Sequence, residues 1–91
     1  MYLRRRFSLL YKDSMEKIDK FLAKLSRKER DRIEPIIEGI IRGDTFGLDV
    51  RKLRGRTDEY RVRVGPIRIQ YIKTSVRNII TSVEFRGNNT Y

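Results

Sequence analysis

The apolar residues in the first half of the chain change from strand-like to helical spacing near residue 12. In residues 3–11 (LRRRFSLLY) the larger apolar side chains recur at period two, which predicts a first β-strand. Asp13 and Glu16 then have the D-x-x-E spacing of a capping box, a pattern that satisfies free backbone N–H groups at a helix start. The sequence therefore predicts that a helix begins at this point.

Two helices are predicted to follow as a hairpin. The first has an apolar stripe at three- and four-residue spacing, formed by Met15, Ile18, Leu22 and Leu25. Ser26 and Glu29 form a second capping box, which separates the first helix from the second by a tight turn. The second helix carries five isoleucines between residues 33 and 41 and is predicted to end near Gly43. Pro35 predicts either a kink in this helix or its true beginning.

The second half of the chain has the period of β-strands. Apolar and polar residues alternate in three runs, at residues 60–64, 67–71 and 79–86. Gly65-Pro66 separates the first two runs, and residues 74–77 separate the last two. The pattern predicts a three-stranded antiparallel meander with one apolar and one polar face.

Together these elements predict a single α+β domain over residues 1–91, with an N-terminal strand, a helical hairpin and the meander. Residues 43–55 are predicted to be a loop with a short extended piece around residues 48–53. If the apolar half of each strand faces the helices, parity directs the alternate residues to the uncovered face. That face is predicted to carry Arg61, Arg63, Arg68, Gln70 and Arg86.

Positive charge is concentrated in the same half of the chain. The formal net charge is +10, and residues 51–91 have 10 basic and 3 acidic side chains, a net charge of +7. A small domain is destabilised by self-repulsion at such a charge, so a polyanionic partner is predicted. The alternative is a solvated face balanced locally by Glu59 and Glu84, but two carboxylates cannot neutralise four arginines. The planar fork of arginine matches phosphate oxygens, which favours RNA as the partner.

Composition excludes several kinds of chemistry. The chain has no cysteine and no histidine, so it lacks disulfides, thiolate metal sites and the usual general base. We expect neither a metal ion nor a cofactor. No stretch approaches the roughly 20 apolar residues that cross a bilayer, and nothing has the pattern of a signal peptide, so a cytoplasmic protein without membrane contact is predicted.

An ordered set of residues resembles the RelE/ParE toxin superfamily over essentially the whole chain. The set comprises Lys52-Leu53-Arg54-Gly55 followed by Tyr60, Arg61, Arg63, Arg68, Tyr71, Arg86 and Tyr91. The resemblance implies a toxin of a bacterial or archaeal toxin–antitoxin pair. RelE-type members enter the ribosomal A site and cut mRNA without metal, by attack of the ribose 2′-OH on the adjacent phosphate. ParE-type members instead inhibit DNA gyrase.

The resemblance also implies roles for individual residues. Arg68 corresponds to the arginine that contacts the scissile phosphate, Arg86 to the arginine that stabilises its developing charge, and Tyr91 to the tyrosine that acts as general base. Arg61 and Arg63 stand where RelE-type toxins often carry lysines. Because arginine holds its proton tightly, this departure leaves protonation of the leaving group without an assigned residue.

Further binding residues and partners complete these expectations. A loop cluster of Arg51, Lys52, Arg54 and Arg56 is predicted to hold flanking phosphates, and Gln70 is predicted to bind RNA as well. The expected partners are mRNA, the 16S rRNA region of the ribosomal A site and an acidic antitoxin, with the free protein a monomer. Two other functions stay open at this point: a ParE-type gyrase inhibitor, and a catalytically silent relative that binds RNA.

Overall fold

The computed structural model describes residues 2–55 and 57–85, and for residues 2–12 it describes the backbone alone. It has two helices followed by four strands. In chain order these are α1 (Tyr2–Ala23), α2 (Arg27–Arg42), β1 (Asp49–Lys52), β2 (Glu59–Val64), β3 (Ile67–Ile72) and β4 (Ile79–Phe85). The predicted α+β class and the helical hairpin are confirmed.

The predicted N-terminal strand is wrong, because α1 runs without a break through residues 3–11. This segment contains leucine and arginine, which favour helices, and has none of the β-branched residues that favour strands. Leu3, Phe7 and Leu10 have helical spacing as well as the alternation that predicted a strand. The capping box at residue 13 is consequently not a helix start, and the Asp13 carboxylate lies 3.5 Å from the Lys17 ammonium one turn later.

The turn between the helices has the predicted capping geometry. Ser26 Oγ accepts a hydrogen bond from the Glu29 backbone N–H at 3.2 Å, and Glu29 Oε1 accepts one from the Ser26 backbone N–H at 3.1 Å. The predicted stripe of α1 is buried at Ile18 and Leu22, and Leu25 in the turn is buried with them. Capping and burial together fix the two helices as an antiparallel pair.

Helix α2 begins at Arg27, so Pro35 lies inside it and does not mark its start. The helix ends at Gly43, whose φ of 90° is in the left-handed region that glycine adopts without steric cost. The Gly43 N–H donates to Ile40 O at 3.0 Å, and the next N–H, of Asp44, donates to Gly39 O at 2.7 Å. These bonds close the helix end in the manner of a Schellman motif.

The sheet has four antiparallel strands in the order β1-β2-β3-β4, one more than predicted. The added strand, β1, occupies the stretch for which only a short extended piece was expected. It pairs with β2 from Asp49↔Arg63 to Lys52↔Tyr60. Four residues are too few to show a period in the sequence, which is why the alternation that identified the other strands did not identify this one.

A β-bulge shifts the parity of β4. Tyr71 pairs with Ile80, and Gln70 pairs with Ser82, so Thr81 has no partner across the ladder. Val83 therefore lies on the helix-facing side of the sheet together with Ile80. The alternation in the sequence had predicted that Val83 shares a face with Ile79. Both isoleucines are nevertheless buried.

The core lies between the helices and the face of the sheet that they cover. Its most completely buried side chains come from both layers: Ile33 and Ile40 of α2, Val62 of β2, Ile69 of β3 and Ile80 of β4. The rings of Phe21 and Phe85 are 5.3 Å apart between centroids and join α1 to β4. This packing leaves the opposite face of the sheet without a helical cover.

The capping box makes a measurable contribution to stability. We expect Ser26→Ala to lower the free energy of unfolding by about 1 kcal/mol, because the N–H groups of the first helical turn lose their acceptor. Urea unfolding followed by circular dichroism measures the change. Ser75→Ala, at an exposed loop serine, is the matched control and should have little effect. Equal losses in the two variants would contradict a capping role for Ser26.

Candidate nucleic-acid interface

Strand register gathers four arginines on the uncovered face of the sheet. Arg63 of β2 is paired with Arg68 of β3, and Arg61 of β2 is paired with Arg51 of β1. Directly paired residues in an antiparallel sheet have Cα atoms about 4.5–5.5 Å apart, so these guanidinium groups are within reach of one another. We call this cluster of Arg51, Arg61, Arg63 and Arg68 the arginine face.

Three carboxylates lie at the edges of the cluster. Asp49 is paired with Arg63 and Glu84 with Arg68, so one row across the sheet reads Asp49, Arg63, Arg68, Glu84. Asp49 Oδ1 also lies 3.9 Å from Nε of Arg51, and Glu59 begins β2 on the same face, two residues before Arg61. Four guanidinium groups against three carboxylates leave the face with a net positive charge.

Burial and mutual repulsion act on the central arginine. Partial burial, followed by the charges of Arg63 and Arg68, lowers the pKa of Arg61 from its ordinary value, and Asp49 only partly opposes this change. The lowered pKa means that the folded protein holds this cation less favourably than water would. A bound anion between the arginines would remove that disadvantage.

Two nitrogens of the cluster lack acceptors within the described part of the chain. Arg61 Nη1 and Arg68 Nε are buried and have no hydrogen-bond partner there. Buried donors are nearly always paired in folded proteins, because an unpaired one loses its bonds to water without replacement. Guanidinium groups take oxygen acceptors of carboxylates and phosphates with matching geometry. The exposed guanidinium groups of Arg51 and Arg63 therefore provide donors for a ligand that carries anionic oxygens.

The structure brings together part of the predicted site. Arg61, Arg63, Arg68 and Gln70 share the uncovered face, and Gln70 lies between Arg61 and Ser82 across the sheet. Arg54 is exposed in the connection between β1 and β2. The remaining predicted residues, Arg56, Arg86 and Tyr91, lie outside the described residues.

Strand β1 corrects the predicted loop cluster. Lys52 is paired with Tyr60, so it lies on the helix-facing side of the sheet and is separated from the arginine face. Arg51 has the opposite parity and belongs to the arginine face through its pairing with Arg61. The sequence placed Arg51 in the loop cluster and not on the arginine face, because parity assigns a face only where a strand has been recognised.

The two tyrosines that alternate with these arginines lie on the other side of the sheet, as predicted. Tyr71 is buried and Tyr60 half-buried, and their rings stack with centroids 5.5 Å apart at an interplanar angle of 16°. Burial, with a smaller effect of Tyr60, raises the pKa of Tyr71 above its ordinary value. Neither phenol can therefore act as a base on the arginine face.

Within residues 2–55 and 57–85, no group of three acidic side chains is placed to hold a metal ion. Neither of the two described helices combines the length and the apolar character needed to cross a membrane.

No protein-family model matches the chain, and no curated protein matches it. A solved structure does: one chain of the RelB-RelE antitoxin-toxin complex from Methanococcus jannaschii is similar to it, with a TM-score of 0.61 and 29% sequence identity. The similarity covers 78% of this chain and 86% of that chain. This likeness supports a fold related to toxin–antitoxin proteins and a role in such a system. The matched complex has two components, an antitoxin and a toxin.

Repulsion within the arginine face predicts an unusual effect of removing a charge. We expect Arg61→Gln to raise the urea midpoint at low salt, because the folded state then loses a cation that it holds unfavourably. The gain should shrink as sodium chloride is raised, since salt screens the repulsion in the wild type. Lys24→Gln, which removes an exposed charge beside the helical turn, is the matched control. A lowered midpoint for Arg61→Gln at every salt concentration would contradict this account.

The raised pKa of Tyr71 predicts a loss of stability at alkaline pH. The folded state disfavours the phenolate, so protonated Tyr71 stabilises the fold. Its contribution to the free energy of unfolding is complete below the unfolded-state pKa of about 10 and is lost as pH rises through the higher pKa of the folded state. Tyr71→Phe removes this group while keeping the ring. Urea midpoints measured from pH 8 to 11.5 should therefore fall more steeply for the wild type than for the variant. Parallel pH profiles would show that Tyr71 ionises equally easily in both states.

Proposed function

We propose that this chain is the toxin of a toxin–antitoxin pair and a RelE-type, ribosome-dependent mRNA endonuclease. The observation that carries the proposal is the arginine face, four guanidinium groups that strand pairing gathers on one side of the sheet. Such donors suit the phosphodiester backbone of RNA. The likeness to a chain of a RelB-RelE complex supports the toxin–antitoxin context.

The proposed reaction has three requirements: the 2′-OH must lose a proton, the phosphorane must be stabilised, and the 5′-oxygen must gain a proton. The chain has groups for the first two. The ribose 2′-oxygen loses its proton to Tyr91 and attacks the adjacent phosphorus. The phosphorane that forms carries extra negative charge, which Arg68 and Arg86 stabilise. Preorganised positive groups of this kind commonly provide the largest part of a catalytic effect. The P–O5′ bond then breaks, leaving a 2′,3′-cyclic phosphate and a 5′-oxygen that takes a proton from water.

The surrounding arginines have supporting roles in this proposal. Arg61 and Arg63 hold the phosphates next to the scissile one. Arg51 and Arg54 extend the positive surface along the chain of phosphates. Contacts of this kind give affinity with little sequence preference, so the codon being read must be selected by the ribosome.

An antitoxin is the proposed regulatory partner. A net charge of +10 on 91 residues favours a partner of opposite charge. An acidic antitoxin that covers the arginine face would block phosphate binding directly and relieve the repulsion described above. The ribosomal A site, lined by 16S rRNA, is the proposed place of action once the antitoxin is removed.

One observation favours a second candidate, a catalytically silent protein that binds RNA. Glu84 is paired with Arg68, which places a carboxylate beside the arginine assigned to the scissile phosphate. A negative charge there opposes the build-up of charge on a phosphorane. Binding would survive in such a protein, because the other arginines of the face are unaffected.

Arg68→Ala tests the catalytic proposal. Expression of the wild type under tight control should stop incorporation of labelled amino acids and create new mRNA 5′ ends in translated regions. The variant should cleave mRNA about 10²–10³ times more slowly than the wild type, as expected when one hydrogen-bond donor to a developing negative charge is removed. Arg32→Ala, an exposed arginine of α2 in the helical layer, is the matched control and should remain toxic. Circular dichroism checks that both variants are folded.

RNA binding measured on the same proteins separates the candidates. For single-stranded RNA, loss of one phosphate contact in Arg68→Ala should reduce the slope of log affinity against log salt by about 0.7. Wild-type protein that binds RNA with this salt dependence but does not slow translation would identify the silent relative. DNA damage and filamentation with normal translation would instead identify a gyrase inhibitor. A toxic Arg68→Ala variant with unchanged cleavage would refute the assigned catalytic role.

A further inference from the structure

A second concave site lies on the side of the sheet opposite the arginine face, at the C-terminal end of α2. It is a cavity of about 360 Å³ between the helix end, the stacked tyrosines and the connection from β3 to β4. Tyr60 and Tyr71 contribute to its wall from the helix-facing side of the sheet. The volume is within the range of about 300–1,000 Å³ that small-molecule sites occupy.

The charge around this cavity is positive. Arg42, Lys73 and Arg77 line it, and no acidic side chain among the described residues does. The C-terminal end of a helix carries about half a negative charge. Asp44, which follows the helix, adds one negative charge between the lining residues Gly43 and Thr45, and three cations exceed the two contributions together. The cavity is thus suited to an anionic group.

The wall formed by residues 74–78 is held in place by its own hydrogen bonds. Thr74 Oγ1 accepts from the backbone N–H groups of Val76 and Arg77, at 3.2 and 3.0 Å, and donates to Arg77 O. Asn78 joins this wall to the helix end, since its side-chain amide donates to Ile40 O at 2.8 Å and its backbone N–H to Ile41 O at 3.0 Å. The cavity is therefore largely preformed.

We propose that this cavity binds a phosphorylated nucleoside. Its base would pack against Tyr60, the half-buried ring of the stacked pair, and its phosphate would lie among Arg42, Lys73 and Arg77. Aromatic side chains bind nucleobases through their π-faces without base selectivity, and guanidinium and ammonium groups bind phosphate. A concave site of this volume beside both an aromatic pair and a cationic cluster favours this ligand over an extended acidic peptide. The ligand is either a free mononucleotide or the phosphorylated end of an RNA.

Amide resonances of the isotope-labelled protein test the site directly. Uridine 5′-monophosphate and adenosine 5′-monophosphate should shift the resonances of Thr45, Thr74 and Ser75, which line the cavity. Uridine and inorganic phosphate, each alone, should bind more weakly than the nucleotide that combines them. Shifts confined to Arg61 and Arg68, or no shifts at millimolar nucleotide, would overturn the proposal.

A charge reversal at the cavity adds a matched comparison. Lys73→Glu should weaken nucleotide binding about tenfold or more, because it removes one charge-assisted contact and adds a like charge. Lys28→Glu, the same change about 21 Å away along α2, should alter the affinity less than about twofold. Equal effects of the two reversals would indicate attraction by net charge alone and would overturn the proposal, provided that thermal unfolding shows both variants folded.

Two further ligands, a short RNA with a 5′-phosphate and a glutamate-rich peptide, distinguish a free nucleotide from an RNA end and test whether the cavity binds an acidic protein instead. If a short RNA with a 5′-phosphate shifts the cavity resonances at lower concentration than the mononucleotide, an RNA end is the ligand; the reverse order identifies the free nucleotide. A glutamate-rich peptide that causes the same shifts more strongly than either would show that the cavity takes a protein partner, and the proposal would be wrong. Arg68→Ala should leave the cavity shifts unchanged, so this test is independent of the endonuclease proposal.

Discussion

Strict alternation of apolar and basic residues along β2 and β3 is the constraint on which the rest of the structure depends. Val62 and Ile69 are completely buried beneath the helices, while the intervening arginines emerge on the opposite face. A slip of one residue in the pairing would exchange the two sets and place guanidinium groups in the core. Burying unpaired charges in this way costs several kcal/mol for each ion, so the register that forms the core also forms the arginine face.

Sequence reasoning succeeded where one local signal had one structural meaning. The spacing of Ser26 and Glu29 predicted the helical turn, and long alternating runs predicted three of the four strands. It failed where a pattern was short or fitted two periods. Residues 3–11 satisfy both a helix and a strand, and only the continuity of α1 decides between them. Strand β1 has only four residues and is recognisable as a strand by its pairing with β2, a long-range contact that the local sequence pattern does not predict.

The same distinction holds for the two candidate sites. Arg61, Arg63 and Arg68 could be grouped from parity alone. Arg51 and Lys52 were predicted together in one loop cluster, but they lie on opposite faces of the sheet because β1 is a strand. The cavity at the end of α2 was not predicted, because its wall combines segments that are far apart in the sequence. Tyr60 and Tyr71 were correctly assigned to the helix-facing side, but their stacking beside a cationic cluster follows only from the folded structure.

The bulge at Thr81 affects the shape of the sheet beside the arginine face. Without this residue the ladder would be continuous, because Tyr71↔Ile80 and Gln70↔Ser82 are already neighbouring pairs. Thr81 therefore adds nothing to the pairing, although its hydroxyl donates to Gln70 O at 3.3 Å. What a bulge adds is local right-handed twist and a bend in the strand. Such a bend falls on the β4 side of Gln70, next to the strand that carries Arg68, so it shapes the β4 edge of the arginine face and not its centre.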